Sequence, residues 1–428
     1  MNNPIMKTRA ETLPARLEKK IRRKFLGESE SGNRSADLRV LLYSHDTMGV
    51  GHMRRNLLIA TQIKSQFPNA SVLTIAGAKE ACLFAEHANI DCLALPSFHK
   101  RADGTHTSRN LGIPGEEILE LRSRCILNAV EAFQPDLLIV DKVPAGAGGE
   151  LLPTLEWLSA NSSCQCILGL RDILDEPQKT IRDWQALDTF DVIQTYFPTI
   201  WIYGDPAIYN AVDEYQFPNE LKDRVLFTGY LTTSSRLEGL DCSASDNEPF
   251  VLCTIGGGQD GEALPTCFIE AIRETKLPAK ILTGPYMSAA NRETLRQAAT
   301  DLPWLEVIDF AVEGDILIKQ ASRIVSMGGY NTLAAILTHQ KRALVVPRIE
   351  PREEQLIRAN RLAELGYVDT LHPDQLSASA IAAWLNSDDS PVLPAKQFDM
   401  AGLQRICDSM GSMLPNSKRC TNKLESHA

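Results

Sequence analysis

Three times along the chain an apolar, β-branched run stops at a glycine-rich turn that opens directly into a helical pattern. The runs lie at 38–43, 250–255 and 323–326, and the turns hold Gly49 and Gly51, then Gly256, Gly257 and Gly258, then Gly328 and Gly329. Between them strand-like and helix-like segments alternate without a break, which is the pattern of parallel sheets with crossover helices. At 428 residues the chain exceeds one ordinary domain. The pattern restarts at 250 after a stretch poor in apolar residues, so the expected fold is α/β with two Rossmann-like domains whose parallel sheets face a central cleft. The expected division is a basic N-terminal extension (1–36), a first domain (37–231), a linker (232–249), a second domain (250–390) and a polar C-terminal tail (391–428).

The finer reading places strands at 71–75, 91–95, 136–141, 166–170, 192–196 and 224–228 in the first half. In the second it places them at 279–282, 305–310 and 343–346. Residues 97–115, polar and containing Gly and Pro, read as a loop.

With a formal charge of −10, the chain lacks the basic face that neutralising nucleic-acid phosphates requires. Residues 1–36 carry +5 and the remainder −15. That basic stretch reads as a solvated extension, or as an amphipathic helix in weak peripheral contact with an anionic membrane surface. No run reaches the roughly 20 apolar residues of a membrane span. The first residues lack a secretory apolar core, so the expected location is cytoplasmic, with contact at the inner face of the membrane as the alternative. The ten cysteines are scattered and expected to be reduced, with no disulfide framework and no structural metal.

Open α/β sheets bind ligands beyond the carboxyl ends of their strands, so residues at the strand–helix junctions carry the candidate chemistry. Gly49 and Gly51 bring the backbone close to a ligand, and His52 follows at the helix start, either as an acid–base group or as a helix-end residue. Arg54 stands where a dinucleotide fingerprint needs its third glycine. Gly256, Gly257, Gly258 and Gln259 form a nest of N–H groups suited to phosphate, without the Lys of a nucleotide triphosphatase loop. After Gly328 and Gly329, Asn331 and Thr332 are expected to cap the next helix. A strand ending at Pro347 leads to Arg348 and Arg352, then to Glu354 and Gln355 in a helical first turn, where amide and carboxylate suit sugar hydroxyls. Asp46 and Asp141 close the first-half strand region. Either would serve as a base, and either would equally pair with Lys142 or Arg171.

Together these residues resemble the family 28 glycosyltransferases of the GT-B fold, whose best-known activity moves GlcNAc onto a lipid-linked peptidoglycan precursor. Gly49-Val-Gly-His52 resembles that family's Gly-Gly-His loop, and Gly256-Gly-Gly-Gln259 its Gly-Gly-Ser-Gln loop. Gly328-Gly-Tyr-Asn-Thr332 resembles its Ser-Gly-x-x-Thr turn, and the segment from Pro347 to Gln355 its Pro-to-Gln-Gln segment. The similarity spans about residues 38–388 and is strongest in the second half.

The resemblance implies a nucleotide-sugar donor held by the second domain and an acceptor (glycan, lipid-linked or small molecule) held by the first. Phe310 and Ala311 would lie beside the base, the glycine turns beside the diphosphate, and Glu354 and Gln355 beside the sugar. Three positions depart from the family pattern. Ala335 replaces the Glu on the ribose, Glu354 the first Gln of the pair, and Arg358 the Asn that follows. The resemblance therefore leaves the base, the sugar and the acceptor open.

The expected reaction moves a hexosyl group from a nucleoside-diphosphate sugar to an acceptor hydroxyl. Backbone N–H groups, with Arg348 or Arg352, would stabilise the leaving diphosphate. The sequence has no Asp-x-Asp metal motif, and no cofactor is expected beyond the sugar nucleotide as substrate. A nucleotide-sugar epimerase or hydrolase of the same fold, and a non-catalytic sugar-nucleotide binder, are the alternatives.

Overall fold

The computed structural model describes residues 38–45, 51–78, 81–100, 106–232, 249–258, 262–284, 286–309, 314–387 and 398–415. The N-terminal extension and nearly all of the expected linker lie outside them.

The first half runs β1 (Arg39–Ser44), α1 (Gly51–Gln66), β2 (Ser71–Ala76), α2 (Ala81–His87) and β3 (Asp91–Ala94). A hairpin, β4 (Phe98–Lys100) and β5 (His106–Ser108), follows, then α3 (Gly115–Phe133) and β6 (Leu137–Asp141). Next come α4 (Leu152–Asn161), β7 (Gln165–Arg171), α5 (Pro177–Ala186), α6 (Thr189–Tyr196), β8 (Thr199–Tyr203) and β9 (Val225–Phe227). The second half runs β10 (Val251–Thr254), α7 (Ala263–Thr275), β11 (Ala279–Leu282), α8 (Ala289–Ala299), β12 (Leu305–Ile308) and α9 (Gly314–Gln320). It continues with β13 (Arg323–Ser326), α10 (Tyr330–Thr338), β14 (Arg342–Val345), α11 (Glu354–Glu364), β15 (Asp369–Thr370) and α12 (Ala378–Asn386), and α13 (Gly402–Met413) closes the described chain.

Every strand pair in the two large sheets is parallel. The orders are β3-β2-β1-β6-β7-β8-β9 and β12-β11-β10-β13-β14-β15. Each chain segment starts mid-sheet, winds outward one way, then returns to wind the other, which is the Rossmann arrangement. The fold is thus GT-B: two Rossmann-like sheets, each with its topological switch point at its first strand. The register sets Ser44 beside Asp141 in one sheet and Thr254 beside Ser326 in the other, so the residues after these four strand ends converge.

Three local readings are corrected. Residues 192–196 belong to α6, not to a strand. Phe190, Ile193 and Phe197 recur at helical spacing, Ile193 and Phe197 are fully buried, and the strand follows Pro198 as β8. Part of the 97–115 loop is the β4–β5 hairpin, which buries Phe98. The expected polar tail contains α13, whose Leu403, Ile406, Cys407 and Met410 form a buried stripe.

Helix α13 returns from the second half to pack on α1 of the first. There Trp201 donates its indole N–H to Ser409 at 3.1 Å. One continuous core cluster runs from Leu38, Ile59 and Trp201 through Tyr230 to Leu252, Tyr330 and Ile406, so the two halves share buried apolar contact beneath the cleft.

Candidate functional site

A cavity of about 1110 Å³ lies between the carboxyl edges of the two sheets. Its walls come from both switch points: His45, His52 and Lys142 on one side, and Gly256, Gly257 and Gly329 on the other.

The first wall is organised around Asp141, which ends β6 and has no exposed surface. Helix α1 starts at Gly51, so His52 lies in its first turn and Arg55 one turn later on the same face. Arg55 grips Asp141 with Nε donating to Oδ1 at 2.9 Å, and with one terminal nitrogen at 2.6 Å from Oδ1 and 2.8 Å from Oδ2. His52 Nδ1 is hydrogen-bonded to Asp141 Oδ2. With Nδ1 engaged by the carboxylate, Nε2 is the ring nitrogen left for a ligand.

Burial alone would raise the Asp141 carboxyl, but Arg55 and His52 outweigh it and hold it far below the usual carboxylate range. Burial pushes His52 down to about 4, against the opposing pull of Asp141 and with the help of Arg55. The imidazole is therefore neutral at ordinary pH. His45 lies beside it, ring centroids 5.0 Å apart, and burial together with His52 drives its pKa well below the usual histidine value.

Asp141 thus pairs with Arg55 and His52, and with neither Lys142 nor Arg171. A carboxylate so fully bonded is a poor proton acceptor, and its geometry is that of a group that orients His52. The other candidate base, Asp46, lies outside the described residues, as does Gly49.

On the facing wall, Gly256 has φ 66°, a left-handed backbone that favours glycine, and a side chain there would meet nothing within 4 Å. Gly329 has an ordinary φ of −61° and is equally open, so nothing in the protein itself demands glycine there. Gly257, Gly258 and Thr332 also line the cavity, whereas Gly328 turns at φ 79° beneath it against Val345. Gln259, Phe310 and Ala311 lie outside the described residues.

The expected capping by Asn331 and Thr332 is corrected. The N-cap of α10 is Gly329, with no side-chain cap, which leaves the first N–H groups of that helix uncapped by a side chain at residues that line the cavity. Asn331 instead reaches across the cleft, its amide 3.5 Å from the Gly51 carbonyl.

The start of α11 is more committed than the sequence implied. Glu354 is 6% exposed, and its oxygens accept from Arg171 of the first half at 3.3 and 3.4 Å. Burial would raise its pKa, but Arg171 and then Lys142 bring it to about 2. Gln355 Oε1 accepts the Arg348 N–H at 3.0 Å, which leaves the amide nitrogen as its remaining donor. The Glu353 N–H donates to Asp175 Oδ1 at 2.9 Å, so the first half caps this helix. Arg358 makes two bonds to Asp172, 3.0 and 2.8 Å, both side chains about 1% exposed. Arg348, Arg352, Glu354 and Gln355 all line the cavity.

Sequence reading missed His45 and Arg55, and treated Lys142 and Arg171 only as partners for a carboxylate. The signal was present: Lys142 and Arg171 stand at the ends of adjacent strands, and Arg55 lies three residues from His52 on one helix face. Among the described residues no group of three His, Cys, Asp or Glu side chains is placed to hold a metal ion. Nor is any helix among the described residues long and apolar enough to cross a membrane.

No family model and no curated protein matches this chain. Solved structures do. The glycotransferase of kitacinnamycin superposes with a TM-score of 0.60 at 12% identity, covering 89% of this chain and 100% of its own. MurG from Acinetobacter baumannii gives 0.54 at 13%, covering 88% and 99%. A UDP-GlcNAc 2-epimerase from Neisseria meningitidis, bound to UDP-GlcNAc, gives 0.56 at 11%, covering 87% and 99%. Likeness at this identity establishes the shared two-domain fold over nearly the whole chain, and transferases and epimerases share it alike.

Proposed function

We propose that the protein is a glycosyltransferase that moves a hexosyl group from a nucleoside-diphosphate sugar to an acceptor hydroxyl. The observation that carries this reading is His52, held by buried Asp141, facing open glycine turns across one cavity. His52 Nε2 takes the proton of the acceptor hydroxyl while that oxygen attacks the anomeric carbon. The bond from that carbon to the diphosphate oxygen breaks, and the pair of electrons leaves with the diphosphate. Negative charge grows there, where the N–H groups of the glycine turns, the start of α10 and Arg348 are the available stabilisers. Asp141 lies beneath the imidazolium that forms. The Gln355 amide serves the sugar hydroxyls, while Glu354 holds Arg171 and joins the halves.

The nucleotide-bound neighbours support a sugar-nucleotide donor: one is an epimerase holding UDP-GlcNAc, another the glycosyltransferase VinC holding dTDP. The epimerase also keeps a second reading open, because it needs no acceptor.

A thermal-shift screen against UDP, dTDP, GDP and their sugars identifies the donor, since a ligand at 100 times its Kd adds about 2.7 kcal/mol of stability. Labelled donor is then incubated with and without acceptor candidates. Transfer predicts label in the acceptor only when one is supplied. Free sugar or an epimer formed without acceptor would replace this reading with hydrolysis or epimerisation.

A further inference from the structure

The first-half wall of the cavity carries more positive charge than its neighbours neutralise. Lys142 follows Asp141 at the end of β6 with φ 68°, a left-handed backbone that is uncommon for lysine. Its N–H is fixed to the Gly169 carbonyl at 2.8 Å, and its side chain lines the cavity. Among the described residues no carboxylate pairs with its ammonium: Asp141 is taken by Arg55 and His52, and Glu354 by Arg171. Burial, then the charges of Arg171 and Arg352, pushes the Lys142 pKa well down, and all three side chains line the same cavity. Arg171 has a buried Nε with no hydrogen-bond partner, and Arg352 is exposed without a described carboxylate partner. Arg171 and Arg348 thus share the single carboxylate of Glu354, at 3.3 and 3.7 Å, while Lys142 and Arg352 line the same cavity without one among the described residues. The cavity also exceeds the roughly 300–1,000 Å³ of a site for one drug-sized ligand.

The diphosphate does not account for this cluster. The glycine turns that suit it belong to the second half, whereas Lys142 and Arg171 stand at the strand ends of the first, and Arg352 reaches the same cavity from the segment before α11. We propose that Lys142, Arg171 and Arg352 form a second anion site, distinct from the diphosphate turns, for a carboxylate or phosphate carried by the transferred sugar or by the acceptor. The inference rests on the glycosyl-transfer reading, in which both substrates meet in this cavity.

The test is calorimetric titration of the full chain, using UDP or whichever nucleoside diphosphate binds. Wild-type protein saturated with it should still take up one inorganic phosphate. Lys142→Met should weaken that uptake about tenfold or more, the size of one charge-assisted hydrogen bond, and leave the nucleoside diphosphate affinity within about twofold. Lys142→Asn, a residue that accepts left-handed backbone, should behave the same and guards against a folding defect. If the sugar carries the anion, UDP-glucuronate binds about tenfold tighter than UDP-glucose and displaces the phosphate. If the acceptor carries it, the uronate has no advantage and phosphate binds beside the intact nucleotide sugar. Absence of phosphate uptake together with absence of a uronate preference overturns the proposal. So does an equal loss of nucleoside diphosphate binding in both variants, which would assign Lys142 to the diphosphate. If no nucleoside diphosphate binds wild type, the transfer reading fails. Lys142-dependent phosphate binding to the free protein then still decides the anion site.

Discussion

Two adjacent strands of the first sheet end in the same chemical device. Asp141 at the end of β6 and Asp172 just past β7 are both buried carboxylates gripped by an arginine through two donors. What differs is where the arginine comes from. Arg55 belongs to the same half as Asp141, and Asp141 Oδ2, which one Arg55 nitrogen also reaches, holds His52 at the cavity. Arg358 comes from the other half, and the Tyr230 hydroxyl also donates to Asp172, at 3.2 Å. One pair therefore points an imidazole and the other fastens two domains. Buried ion pairs are weak contributors to net stability, but removing one partner strands a charge. Each pair should therefore be costly to break, and only one of them should bear on proton transfer.

The largest effect is expected at the group that the first pair positions. His52→Ala should lower turnover about 10²–10⁴-fold, the usual contribution of a general base. Nucleoside diphosphate binding should stay near wild type. Equal turnover in this variant, measured at saturating donor, would leave His52 as a helix-end residue and dissolve the functional side of the comparison.

The two aspartates come next. Asp141→Ala and Asp172→Ala should each lose about 3–5 kcal/mol of stability in denaturant unfolding, because each strands a buried arginine. Their activities should separate. At a temperature where both remain folded, Asp141→Ala should lose turnover with donor affinity kept. Asp172→Ala should weaken donor affinity, because it loosens the α11 segment that carries Gln355. Identical kinetic profiles for the two would remove the distinction.

Gln355→Ala is the smallest expected change. It should weaken the intact nucleotide sugar by about 0.5–1.5 kcal/mol and barely alter the nucleoside diphosphate. Parallel losses for both ligands would mean that Gln355 only holds the Arg348 loop.

The same contrast explains how far the sequence could be read. The alternation of strands and helices, the three strand–glycine–helix junctions and the place of the cleft follow from periodicity and from the rule that ligands meet strand ends. Residues 192–196 misled because Val192, Ile193 and Tyr196 are good strand formers, and their helical phase shows only when Phe190 and Phe197 are included. Helix α13 was hidden by Gln404, Arg405, Asp408 and Ser409, although its apolar residues keep strict helical spacing. At the site, most single residues were legible, His45 and Arg55 excepted, and pairings were not. Which arginine meets Asp141 depends on the start of α1 facing the end of β6. Glu354 looked like a sugar ligand because nothing local reveals Arg171, 183 positions away in sequence. Pairing across domains is a property of the assembled cleft and leaves no local mark.

The central claim is that a neutral imidazole held by Asp141 takes the acceptor proton, and the pH dependence of kcat/KM for the identified donor–acceptor pair tests it most directly. The pKa of His52 is lowered, so its basic form persists as pH falls and is lost only as pH passes through about 4. The account predicts a rate that is level from neutrality to about pH 5 and declines below it, with that decline absent from the residual activity of His52→Ala. A decline centred near 6.5, the value of an unperturbed histidine, would contradict the buried, aspartate-held base. So would a decline that persists unchanged in His52→Ala.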